Sequence, residues 1–271
     1  MKNFEYLEPK TLKQASSMLL KYKRNARLLA GGTDLLVGLK GGWTKARYII
    51  NLKKVPGLDG LRFSQRQGLR FGALTTWHSL MSHPAVGEHY PILYEACRLV
   101  GSRQIRNVGT IGGNLCHASP AADAALPLLA LDATCTIFGP RKERKVPVRE
   151  LFAGPGRTSL KPGEILTEIQ VPPPLKGAGS CFIKFSPRKA MDLAMVGVGA
   201  VMRVKGGRVE DVRIALGAVA PTPIRARRAE KVLLDGEPGE ELISRAAEQA
   251  ASECRPISDF RASGEYRREM V

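Results

Sequence analysis

Ala30-Gly31-Gly32-Thr33-Asp34-Leu35 and Thr110-Ile111-Gly112-Gly113-Asn114-Leu115, about 80 residues apart, decide how this chain is read. The first follows Arg27-Leu28-Leu29, a short buried strand that runs into the glycine turn, and residues 35–40 continue it as a helical turn. The second reads as a glycine-rich turn beginning at Val108-Gly109. Glycine lets a backbone approach a ligand closely and adopt positive φ. Successive N–H groups in such turns form concave anion sites, and a following helix N-terminus adds partial positive charge. Two such turns in one chain suit the two phosphates of a dinucleotide, although each taken alone is equally a tight structural turn. Neither is G-x-G-x-x-G or G-x-x-x-x-G-K-[ST], so Rossmann and P-loop readings do not fit.

Outward from the first turn, Leu12, Ala15, Met18, Leu19 and Tyr22 share one helical face over 11–22, with Thr11 as its cap, and 47–51 reads as a strand. This strand–helix alternation is a small α/β lobe. A second block begins at Val55-Pro56-Gly57. It carries predicted strands at 58–63, 68–71, 133–138 and 165–171, and predicted helices at 75–82, 92–100 and 123–131. Asp123 opens the last of these, where it serves either as an N-cap or as a hydrogen-bonding partner for a ribose or adenine. Pro172-Pro173-Pro174 is a stiff extended connector and marks a boundary. Beyond it, strands at 180–185, 196–204 and 209–216, the last two joined by the hairpin turn Lys205-Gly206-Gly207-Arg208, precede helices at 223–233 and 240–254 and a polar helical tail at 259–270. The expected units are 1–55, 56–174 and 175–271.

The 271 residues include 42 Lys+Arg against 25 Asp+Glu, a formal charge of +17, with 44% hydrophobic residues. Such a composition folds rather than remaining disordered. The charge is the footprint expected of a phosphate binder, but residues 222–271 hold 9 basic and 10 acidic residues, and the remaining basic clusters are short. No helix-turn-helix, zinc finger or RNP-type segment is present, so no nucleic-acid partner is expected. A basic surface facing an acidic partner subunit explains the charge equally well. Cys97, Cys116, Cys135, Cys181 and Cys254 contain no C-x-x-C pair, and His78, His83, His89 and His117 lack metal-ligand spacing. No metal site is expected, and the thiols suit a reducing compartment. No run approaches the roughly 18–20 apolar residues of a membrane span, and MKNFEYLEPK has no leader pattern. The expectation is a cytoplasmic protein with no transmembrane segment. No nucleophile or general-base constellation stands out, so no catalytic residue is assigned. Trp43 and Trp77 read as packing residues, and Tyr266, Arg267 and Arg268 as braces of the last unit.

Residues 30–35, together with 110–115 and Ser119-Pro120-Ala121-Ala122-Asp123, resemble the FAD-binding subunit of molybdenum hydroxylases, which includes the medium subunits of carbon monoxide dehydrogenases and bacterial xanthine dehydrogenases. The resemblance covers essentially the whole chain. Phe71-Gly72-Ala73-Leu74-Thr75, Glu164-Ile165-Leu166, Phe182-Ile183-Lys184-Phe185-Ser186 and Asp259-Phe260-Arg261-Ala262-Ser263 with Tyr266-Arg267 extend it in order.

The resemblance implies an α+β fold: two α/β lobes forming a PCMH-type FAD-binding domain, then a C-terminal antiparallel sheet with helices. It implies FAD extended between the lobes, with Ala30, Gly31, Gly32, Thr33, Asp34 and Leu35 on the pyrophosphate. Thr110, Gly113 and Asn114 would close over the phosphates and ribityl chain, and Ser119 and Asp123 would reach the adenosine half. Leu166 and Lys184 would lie close to the flavin. The implied partners are a [2Fe–2S] small subunit and a molybdopterin-binding large subunit, with NAD, a quinone or another carrier as acceptor. Relatives of the 4-hydroxybenzoyl-CoA reductase type carry a cysteine-rich insertion after the equivalent of Cys116. Here His117-Ala118-Ser119-Pro120 follows directly, so no extra cluster is expected. The competing classes are a standalone flavin-dependent oxidoreductase related to vanillyl-alcohol oxidase, disfavoured by the short C-terminal unit, and an FAD-less binding or assembly protein.

Overall fold

Thr11 accepts a hydrogen bond from the Gln14 amide and starts α1 (Leu12–Tyr22), whose Ala15, Met18 and Leu19 pack on a three-stranded parallel sheet. The computed structural model describes residues 3–271. The sheet has the order β1 (Glu5–Leu7), β3 (Tyr48–Asn51), β2 (Ala26–Leu29), and α2 (Leu35–Gly41) joins β2 to β3. The edge strand β1 has no apolar alternation and was not foreseen. It is specified by its pairing with β3 rather than by its own side chains.

The second lobe is an antiparallel five-stranded sheet of order β4 (Leu61–Ser64), β5 (Gly68–Gly72), β10 (Ile165–Val171), β6 (Thr134–Phe138), β7 (Arg144–Pro147). The central strand β10 occupies the span read from the sequence and is largely buried on both faces, as its continuous apolar character requires. Between β5 and β6 run six short helices: α3 (Trp77–Ser82), α4 (Pro84–His89), α5 (Pro91–Arg98), α6 (Arg103–Val108), α7 (Ile111–His117) and α8 (Ala125–Ala130). A small hairpin, β8 (Phe152–Gly154) and β9 (Arg157–Thr158), precedes β10. The lobes share apolar packing, since Leu58, Leu74 and Ile165 join the core of the first, and the Ser16 hydroxyl donates to the Gly163 carbonyl at 2.7 Å.

The third unit is a sheet of order β11 (Ala178–Phe185), β12 (Val196–Lys205), β13 (Arg208–Gly217), β14 (Ile224–Arg225). Its Gly206-Gly207 hairpin turn lies where the sequence placed it, with both glycines at positive φ. One face is covered by α9 (Arg227–Leu233), α10 (Glu240–Glu253) and α11 (Gly264–Glu269). On the other lies α8, whose six residues are all buried. Leu126 of α8 sits over Gly197, Gly199 and Gly217 of the sheet, which leave room for it. Phe182, Val201 and Ala215 thereby join the second lobe's core.

Candidate functional site

Parallel pairing of β2 with β3 ends at Leu29, and the chain turns through residues 30–34 into α2. Gly32 has φ 81°, and a Cβ on Gly31 would fall within van der Waals distance of the Val108 carbonyl oxygen and of Gly109. The turn therefore lies directly on the end of α6. Among the described residues, no hydrogen bond engages the amides of Gly31, Gly32, Thr33, Asp34 and Leu35, while Leu36 N donates to Gly32 O at 2.9 Å. Asp34 stands at the N-cap position but its carboxylate makes no cap bond. Five successive unengaged N–H groups at a helix start are the donor set that a pyrophosphate requires.

The second motif is built differently. Thr110 caps α7: its hydroxyl accepts from the Gly113 amide at 3.1 Å and its carbonyl from Asn114 N at 3.0 Å. Ile111 N donates to Thr75 O and Gly112 N to Ala73 O, both at 3.0 Å. The segment read as a second glycine turn is the first turn of a helix whose amides at 111–114 are all engaged internally. Unengaged successive amides are thus found at the first turn and not at 111–114, and α7 packs against the first turn through Gly113 and Ala30. Gly113 faces Ala30, and a Cβ there would crowd the Thr110 hydroxyl at 2.7 Å. The Asn114 Oδ1 accepts from Ala124 N at 3.2 Å, and its Nδ2 has no partner among the described residues.

A cleft of about 380 Å³ is lined by Ala30, Lys53, Lys54, Val55, Pro56 and Asp59 together with Leu74, Thr76, Asn107, Val108 and Thr110. The two lysines were missed in the sequence, where they read as ordinary surface charge after a strand. Their adjacency to the predicted boundary at 55 was the available signal. They bring positive charge to a cleft that contains the first turn's Ala30.

Asp123, expected either to cap α8 or to reach the adenosine half, does not cap: Ala124 holds that position without a side-chain bond. Its carboxylate accepts from Lys184 Nζ of β11 at 2.9 Å, with side-chain exposures of 11% and 5%. Lys184 also reaches the Leu99 carbonyl at 3.4 Å. Burial pushes the Asp123 carboxyl up, and the Lys184 charge and hydrogen bond pull it back. The pair brings the segment before α8 and strand β11 together at one point. Ser119 accepts from the Ala121 amide at 3.2 Å within its own turn. Leu166 is buried in β10 beside the second-lobe core, and the cleft takes in neither it nor the Asp123–Lys184 pair. The contacts Gly31–Val108, Ala30–Gly113, Asn114–Ala124 and Asp123–Lys184 nevertheless join the predicted site segments into one continuous path.

The tail motif is a brace. Buried Arg267 donates to Met195 O at 2.6 Å, to Ala218 O at 3.0 Å and to Asp259 Oδ1 at 2.9 Å. Ala218 N in turn donates to Pro120 O at 2.7 Å, tying the tail to the loop before Asp123. Trp77 is 2% exposed in the core as expected, whereas Trp43 is 72% exposed and is not a packing residue of the interior. No helix is long and apolar enough to cross a membrane among the described residues.

Comparison with known proteins places these features in a family. The FAD binding domain in molybdopterin dehydrogenase matches residues 2–174, and the CO dehydrogenase flavoprotein C-terminal domain matches residues 182–271. The chain is 35% identical over 268 residues to the carbon monoxide dehydrogenase medium chain of Hydrogenophaga pseudoflava, covering 99% of this chain and 93% of that one. It is 35% identical over 254 residues to the xanthine dehydrogenase FAD-binding subunit of Escherichia coli O157:H7, covering 93% and 87%. Among solved structures, a chain of carbon monoxide dehydrogenase from Hydrogenophaga pseudoflava superposes with a TM-score of 0.96 at 36% identity, covering 99% of this chain and 93% of that one.

Proposed function

This chain belongs to the FAD-binding medium subunits of the molybdenum hydroxylases, and from that premise we propose that it relays electrons from a [2Fe–2S] small subunit to an external acceptor. The observation that carries this reading is the row of unengaged amides at Gly31–Leu35, set against α6, with the preceding Ala30 lining the cleft that also holds Lys53 and Lys54. Ala30, Gly31, Gly32, Thr33, Asp34 and Leu35 would hold the pyrophosphate through backbone N–H groups. Thr110, Gly113 and Asn114 would wall the phosphates and ribityl chain, with Asn114 Nδ2 as the available donor. Ser119 would flank the same path. Lys184, kept in place by Asp123, would supply positive charge at the flavin end, close to which Leu166 of β10 would also lie. Lys53 and Lys54 would meet the remaining phosphate charge at the cleft mouth.

FAD, when bound, takes up and releases electrons singly or in pairs, which suits a relay between clusters and a two-electron acceptor. The chain's own residues bind, orient and supply charge, so no catalytic acid, base or nucleophile is required of them. The organic substrate would be oxidised on a molybdopterin-binding large subunit. The relatives differ in substrate, carbon monoxide in one and xanthine in another, as expected if specificity resides outside this subunit. The acceptor would be NAD, a quinone or another carrier. The units 1–55, 56–174 and 175–271 would correspond to the three main sheets, and five free thiols suit a cytoplasmic setting.

The relay is tested by mixing the FAD-loaded chain anaerobically with its iron–sulfur subunit, previously reduced by a chemical reductant. Rapid bleaching of the visible flavin band is expected. Failure of the reduced subunit to bleach it, or oxidation of an organic substrate by the isolated chain, would contradict the relay.

A further inference from the structure

Asp123, just before α8, and Lys184, on β11, form a nearly buried ion pair where the second and third units meet, with side chains 11% and 5% exposed. Such a pair gains little stability over apolar residues of the same volume, because both charges leave water. Charge held at that cost is characteristic of a functional site. The pair is also fixed from several sides. Lys184 Nζ reaches Leu99 O, and Arg106 Nη1 donates to the next two carbonyls, those of Val100 and Gly101, at 2.9 and 3.4 Å. On the other flank, Ala218 N holds Pro120 O in the loop that leads to Asp123.

The pair is not saturated. An ammonium has three donors and a carboxylate two accepting oxygens. One Lys184 N–H and Asp123 Oδ1 have no partner among the described residues. A fixed, buried ammonium with a spare donor suits a neighbouring group that gains negative charge. The phosphate turn is joined to this point, since Asn114 Oδ1 accepts from Ala124 N, next to Asp123, and Gly113 lies against Ala30.

We propose that Asp123 is a positioning residue that sets the reduction potential of the flavin through Lys184, by fixing the ammonium beside the ring and offsetting its charge. This rests on the reading above that places Lys184 at the flavin end. Uptake of two electrons and one proton leaves a flavin one charge more negative. A lone cation beside it therefore favours the reduced form, and a lone anion opposes it. Away from water both effects are strong. The Asp123–Lys184 pair is neutral as a unit, so it keeps the potential between these extremes. A relay needs that intermediate value, because it must accept electrons from one partner and yield them to another.

Anaerobic spectroelectrochemical titration of the FAD-loaded chain and its variants tests this. Asp123→Asn keeps the side-chain shape and leaves Lys184 uncompensated, so the midpoint potential should rise. Lys184→Met leaves Asp123 uncompensated, so the potential should fall. Each change should alter the ratio of reduced to oxidised flavin at a fixed ambient potential by about tenfold or more, about 30 mV for a two-electron couple. The double variant restores neutrality and should return close to wild type, as should Asp123→Glu, which keeps the charge. A merely structural pair would lower FAD affinity or melting temperature without opposite shifts in potential. Potentials that stay put, or that move the same way in both single variants, overturn the proposal. If Lys184→Met retains no FAD, Asp123→Asn against Asp123→Glu decides: a rise in the first alone supports the proposal, and equal potentials overturn it. Loss of FAD from Asp123→Asn as well would make the pair a binding element and overturn it too. A wild-type chain that holds no FAD overturns instead the reading on which the proposal rests.

Discussion

Gly31→Val is expected to produce a folded protein that no longer retains FAD through purification, with affinity reduced by about 100-fold or more, roughly 2.7 kcal/mol. The cause is steric. Any side chain at this position strikes the Val108 carbonyl and Gly109, both backbone, so the turn must lift from the end of α6. Lifting it misaligns the amides of residues 31–35, the donors left over by the fold, while β2, β3 and the core beneath them keep their contacts. Isothermal titration of the apo-protein with FAD measures the loss, and circular dichroism checks the fold. Gly60→Ala is the control, because nothing lies within 4 Å of a Cβ there. Unchanged FAD affinity in Gly31→Val would show that the turn does not grip the cofactor.

Arg267→Ala should destabilise the protein by about 3–5 kcal/mol, the usual cost of breaking a buried ion pair by removing one partner. On thermal denaturation this corresponds to a fall on the order of 10 °C for a chain of this size. The guanidinium ties Met195 O before β12, Ala218 O after β13 and the Asp259 carboxylate into one knot, and Arg261 holds the same carboxylate at 2.7 Å. Together these arginines hold the Asp259 carboxyl well below the usual carboxylate range. Removal of the side chain leaves two buried carbonyls without their donor. Because Ala218 N is bonded to Pro120 O, the loosening should also reach the loop preceding Asp123. Arg267→Lys keeps a charge but cannot serve three acceptors with a planar fork, and should lie between the two. A melting temperature within a degree or two of wild type for Arg267→Ala would remove the brace from the account.

The parts of the fold that follow from local pattern were legible. The continuously apolar β10, the Gly206-Gly207 hairpin and α10 lie within a residue or two of their expected bounds. The family resemblance carried the cofactor. The arrangement of α7 was not legible, since Ile111-Gly112-Gly113-Asn114 has poor helix propensity. It is helical because Thr110 caps it, Ala73 and Thr75 accept its first amides, and Ile111 and Leu115 are buried. The Asp123–Lys184 pair spans 61 residues and two units, and nothing local in either residue announces it. The same holds for Trp43. The sequence favours burial for an indole, whereas glycines at 38 and 41 provide a bed on the outside of α2.

FAD content of the purified, unmodified chain tests the central claim most directly. The protein should be yellow, release FAD on denaturation at close to one molecule per chain, and regain it after the apo-protein is incubated with FAD. A colourless chain that cannot be reconstituted would contradict the account.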